Sequence, residues 1–138
     1  MRTLEDPKVG VRVKLAGLWA SLMFCYVYGD FFGLFVPGRL RDMIAGNFGP
    51  LGPTTQGVLI GVSLLMAVPA VMIFGSLALP ATLCRWANAL LGIAYTAIML
   101  LTMQGALPFY LVLGVIEVLL SAAIGVYAWR WPRLRTPA

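Results

Sequence analysis

The stretch FYLVLGVIEVLLSAAIGVYAWRW, residues 109–131, holds one acid, Glu117, and no base before Arg130. At ~1.5 Å of rise per residue, about 20 helical residues cross the ~30 Å hydrocarbon core of a bilayer, and this run is long enough. Inside lipid the backbone amides have only one another as partners, and the run lacks the strict alternation of a barrel strand, so it predicts a transmembrane α-helix. Residues 13–36, 58–79 and 86–103 read the same way. The breakers fall between them: Pro37-Gly38, Pro80 and Gln104-Gly105 close the first three spans and Pro132 the fourth, while Pro108 sits in a first turn, where a helix tolerates proline. The expected fold is all-α, a four-helix transmembrane bundle forming one domain over residues 1–138.

Composition agrees and narrows the function. Of 138 residues, 61% are hydrophobic and 11% charged, too apolar for a soluble domain. The net charge is +5, yet the bases gather at the ends of apolar runs, which suits a membrane flank better than a nucleic-acid face. The chain has no histidine, which removes the usual haem ligand, the commonest metal ligand and the commonest general base together. Cys25 lies within a span and Cys84 beside a charged turn, with no C-x-x-C spacing. No cofactor, metal site or catalytic residue is predicted, and an intramembrane enzyme is disfavoured. Lys8 and Lys14, the only lysines, lie outside or at the edge of the first span, which argues against a retinal protein.

The first span is longer than a signal-peptide core and LFVPGR lacks a small-x-small cleavage pattern, so a retained anchor is expected. Arg2, Lys8, Arg12, Lys14, Arg85, Arg130, Arg133 and Arg135 lie on one side of the four spans, Arg39 and Arg41 on the other. The asymmetry predicts both termini in the cytoplasm, with segments 1–12 and 132–138 inside and the 37–57 loop outside. Trp86, Trp129 and Trp131 add interfacial aromatics on the inner side. In the loop, Leu40, Met43 and Ile44 predict a short amphipathic helix, and Thr54 or Thr55 can cap the second span.

Polar and small residues fall in stripes at helical spacing. The first span carries Trp19, Met23, Tyr26, Asp30 and Gly33; the third Asn88, Gly92, Tyr95, Met99 and Thr102; the fourth Tyr110, Gly114, Glu117, Ser121 and Gly125. Small residues let backbones approach and hydroxyls bond across a contact, so these faces should meet inside the bundle, with Gly114 and Gly125 at the interface. The second span offers Gly57 and Gly61 as a small-xxx-small pair, then Ser63, Ala67 and Ala70, while Pro69 frees the carbonyl near Leu65. Arg85, Trp86 and Asn88 read as a structural cap in which arginine reaches the headgroups and asparagine ties helices.

Asp30 and Glu117 are the candidate site. An intramembrane acid is a functional hypothesis by default, although a neutral carboxyl can also serve as a hydrogen-bonded tie between helices. Placed six residues before the outer end of the first span and eight after the outer start of the fourth, they lie at about 9 and 12 Å depth. With no base at that level, one or both are expected to hold or share a proton, with Tyr26, Tyr28, Tyr95, Tyr110 and Ser121 as candidate donors.

YVYGDFFGLFVPG (26–38), RWAN (85–88) and Glu117 within VIEVLLSAAIGVYAWRW (115–131), with the spacing of four spans, resemble a family of small uncharacterised bacterial four-helix integral membrane proteins grouped by a domain of unknown function. The resemblance covers nearly the whole chain from Lys14 and implies the fold and a bacterial inner-membrane location, with no established activity, cofactor or partner. In that family the second helix often carries a glutamate two residues before its proline; here that place is Ala67. The leading reading is small-solute or proton-linked binding or transport in a homo-oligomer or larger membrane assembly, since four helices do not easily enclose a pathway. The alternative is an accessory subunit holding a lipid-like ligand.

Overall fold

The computed structural model describes residue 4 and residues 6–132, which are helical and strand-free: α1 (Val11–Gly33), α2 (Arg39–Ile44), α3 (Gln56–Ala78), α4 (Ala81–Thr102) and α5 (Pro108–Trp129), with one 3-10 turn at Gly49–Leu51. Arg2, Arg133 and Arg135, and the tail beyond Pro132, lie outside the described residues. α1, α3, α4 and α5 are each long and apolar enough to cross a membrane. The start of α1, the α3–α4 turn and the end of α5 share one side, called here the terminal side; the opposite, loop side carries α2.

Two boundaries differ by more than two residues from the sequence reading. α4 begins at Ala81, five residues before the expected start, because Arg85 is accommodated within the helix: its Nε donates to the Ala128 carbonyl at 3.3 Å and its guanidinium lies 5.4 Å from the Trp86 ring centroid. α1 ends at Gly33, after which the amides of Leu34, Phe35 and Val36 turn back to the carbonyls three residues earlier. At the other helix ends Thr55 caps α3, its Oγ1 accepting from the Val58 amide at 3.3 Å, and Arg12 Nη1 donates to the Leu77 carbonyl at 3.0 Å and that of Leu79 at 2.6 Å, closing the end of α3.

α1 packs against both α3 and α5, and α5 against α4, whereas the backbones of α3 and α4, joined by a tight turn, seldom come close and the two helices meet through side chains. Leu15, Trp19, Leu22 and Ile124 are fully buried at the centre of the terminal half. The stripes of α1, α4 and α5 turn inward apart from their loop-side members Asp30 and Thr102, which are exposed. The small face expected of α3 does not: Gly57, Gly61, Ser63, Ala67 and Ala70 are all exposed, and α3 buries Pro69, Met72, Gly75 and Ser76. Proline explains the turn. Its missing N–H orphans the Leu65 carbonyl, which inside the bundle accepts from the Tyr95 hydroxyl at 2.5 Å.

α4 and α5 approach most closely at Gly92, where a Cβ would stand 2.7 Å from the Gly125 nitrogen and 3.0 Å from the Ser121 carbonyl. Of the two glycines expected at the interface, Gly114 lies under Met103, whose Cγ would be 2.8 Å from a Cβ there, but Gly125 faces open space and contributes only its backbone. Gly92 is the residue that the close approach requires.

Candidate functional site

The two halves of the bundle treat buried polar groups differently. In the terminal half, Trp19, Ser76 and Asn88 are fully buried and mutually satisfied: Trp19 Nε1 donates to Asn88 Oδ1 at 2.7 Å, Ser76 Oγ to the same oxygen at 3.2 Å, and Asn88 Nδ2 to the Cys84 carbonyl at 2.8 Å. Cys84 Sγ faces the Ser76 carbonyl at 3.3 Å. This knot joins α1, α3 and α4. Arg85 and Trp86 sit at its rim, with Trp86 edge-on to Trp129 at 6.4 Å.

The loop half contains a cavity of about 100 Å³ between all four spans. Its walls include Tyr26 and Asp30 of α1, Leu65 and Met66 of α3, Tyr95, Met99 and Thr102 of α4, and Tyr110 and Glu117 of α5. Glu117 is 3% exposed, and among the described residues no hydrogen-bond donor reaches its carboxyl. The Tyr26 hydroxyl, on a residue 8% exposed, is also buried without a partner. Buried polar groups are normally paired, so a sealed hydroxyl without a partner and a carboxyl without a protein donor, both on one small cavity, mark it as the candidate site.

Asp30 and Glu117 do line the same space, but not as equals. Because α1 stops at Gly33, Asp30 lies one turn from the helix end and is exposed, while Glu117 is nine residues into α5, about 13 Å along it. Asp30 marks the mouth and Glu117 the interior. Thr102 and Tyr110, in the last turn of α4 and the first of α5, place that mouth at the loop side. Among the described residues no lysine or arginine lines this cavity.

The tyrosines and Ser121 divide. Tyr26, Tyr95 and Tyr110 line the cavity, and Tyr110 donates to Thr102 Oγ1 at 3.3 Å. Tyr28 is 52% exposed and stacks on Phe32, away from the acids. Ser121 is buried elsewhere: its Oγ donates to the Glu117 main-chain carbonyl at 2.8 Å and lies 2.8 Å from Thr96 Oγ1 in the α4–α5 seam, so it does not serve the carboxyls. Ala67, where the resembled family often has glutamate, is exposed and off the cavity wall. Thr96 was not singled out from sequence; its place four residues after Gly92, whose carbonyl it binds at 2.7 Å, was the available signal. Met66 and Ile98 also line the site, and nothing in their apolar character marks them. Among the described residues no three His, Cys, Asp or Glu side chains come together to hold a metal ion.

Fold and site together define the class: a multi-pass membrane protein of four spanning helices with a carboxyl-lined cavity in one half. The chain belongs to a family of unknown function (DUF6326), which matches residues 7–135. Comparison with curated proteins and with solved structures finds no match.

Proposed function

We propose that this protein binds a small solute, or a proton coupled to one, in the cavity between Asp30 and Glu117, as part of a transport activity in an oligomer. The reading places it in a bacterial cytoplasmic membrane with the terminal side inside, as the bases flanking the spans favour. The observation that carries it is Glu117: a residue 3% exposed that lines an internal space and whose carboxyl meets no hydrogen-bond donor among the described residues. A carboxyl that served only as a tie between helices would have a donor on a neighbouring helix. The alternative, an accessory subunit holding a lipid-like molecule, draws on a different feature, the groove of about 620 Å³ outside the α4–α5 seam, lined by Gly92, Thr96, Ala122 and Gly125 and ending at Trp129 and Arg130.

The test is flux across proteoliposomes under a pH gradient, with solutes screened one by one. Glu117→Gln preserves size while abolishing titration and is expected to remove the coupled flux. Unchanged flux and pH dependence in the Asp30→Asn/Glu117→Gln double variant would reject the transport role of this pair.

A further inference from the structure

The hydrogen-bond directions around the cavity specify more than its acids do. Tyr95 donates its proton to the Leu65 carbonyl, Tyr110 donates to Thr102, and Thr102 Oγ1 donates to the Met99 carbonyl at 3.0 Å. Each hydroxyl has one proton, and these three are committed to the protein. What remains on the wall is a set of acceptors: oxygen lone pairs of Tyr95 and Tyr110 and, in their ionised form, the carboxyls of Glu117 inside and Asp30 at the mouth. The only uncommitted hydroxyl proton among the lining tyrosines belongs to Tyr26. No lysine or arginine lines the cavity.

We infer that the ligand of this cavity is a small ammonium-type cation, whose several N–H groups meet the inward-facing acceptors of Glu117, Tyr95 and Tyr110 at once. The inference rests on the reading of the cavity as a binding site and names its ligand class. An anion or a pure acceptor would find mainly lone pairs among the polar groups of this wall, the rest of which is apolar. A bare metal ion needs more carboxylate or carbonyl ligands than this wall offers, since hard cations take about six oxygens. Tyrosine faces favour an organic cation over a neutral amine. Size sets the upper limit: about 100 Å³ equals roughly three waters at ~30 Å³ each, which admits ammonium or methylammonium and is too small for tetraethylammonium.

Potassium is the decisive control, because it resembles ammonium in charge and size and has no N–H group. Full-length protein in detergent micelles, at fixed pH and ionic strength, is titrated with ammonium, methylammonium, potassium, tetraethylammonium, acetate and acetamide. Thermal midpoint and tyrosine difference absorption are read together. Ammonium and methylammonium are expected to saturate both signals, with potassium at least tenfold weaker and tetraethylammonium silent. Glu117→Gln should abolish the response; Tyr26→Phe, which removes only a hydroxyl, should keep the fold and change the half-saturating concentration several-fold, so the test stands even where the first variant folds poorly. Equal responses to potassium and ammonium would overturn the inference. Glu117-dependent binding of acetate or acetamide would also overturn it, while leaving the cavity a binding site. Absence of any Glu117-dependent response, together with unchanged pH-driven flux, would overturn both the inference and the function it rests on.

Discussion

Asn88 and Glu117 are both polar, both almost wholly buried and both on inward stripes of neighbouring helices, yet Asn88 has its amide oxygen and nitrogen occupied and the Glu117 carboxyl has no donor. The difference separates two uses of polarity inside a membrane. A closed network fixes helix positions, because each group that leaves its partner meets hydrocarbon. An open one stores binding capacity, at a cost in stability that a ligand or water can offset. The terminal half is built in the first manner, and the proposed function puts the loop half in the second.

The sharpest way to break this contrast is Asn88→Ala. It leaves the Trp19 N–H and the Ser76 hydroxyl unpaired beside a new void, and should lower unfolding stability by about 3 kcal/mol in detergent. A loss no larger than that of Glu117→Gln would erase the distinction between the halves. Next comes Gly92→Leu, which drives a side chain into the Gly125 backbone and is expected to cost about 2 kcal/mol, whereas Gly125→Ala should be nearly silent. Thermal scans of the pair would show the reverse order if α4 and α5 approached elsewhere.

Tyr95→Phe tests the polar tie between α3 and α4 in the loop half. It removes the donor to Leu65 and should cost roughly 1 kcal/mol; adding Pro69→Ala, which restores a backbone N–H for the same carbonyl, should return most of it. Additive losses in the double variant would show that Pro69 and Tyr95 are not linked through Leu65. The smallest effect is expected for Tyr26→Phe, because its hydroxyl has no protein partner to lose; denaturation should give a change near zero or slightly stabilising. A loss above about 1 kcal/mol would mean that this hydroxyl is bonded after all, and the loop half less open than described.

Periodicity made the spans and the inward stripes legible, since burial in a bundle imposes the helical repeat on polar and small residues alike. Stripes do not reveal which way a hydroxyl points. Ser121 stands on the same stripe as Glu117, yet its bond runs to a main-chain carbonyl one turn back, a local choice that spacing does not encode. The end of the first helix was hidden for a related reason: α1 tightens after Gly33 although the apolar run continues to Val36, which leaves Asp30 one turn from the helix end. On α3 the glycine pattern at 57 and 61 competed with Pro69, and the need to shelter the Leu65 carbonyl from lipid decided which face turned inward.

The scarcity of close backbone approach between α3 and α4 divides the bundle into two pairs. Consecutive helices are usually neighbours, but here α3 packs chiefly on α1 and α4 on α5. The α1–α5 contact joins the pairs, and the bonds of Asn88 and Tyr95 fasten α4 to α1 and α3. A chain cut after Thr102 would keep the first pair and leave Gly92 and Thr96 without the Gly125 backbone and Ser121 hydroxyl they pack on.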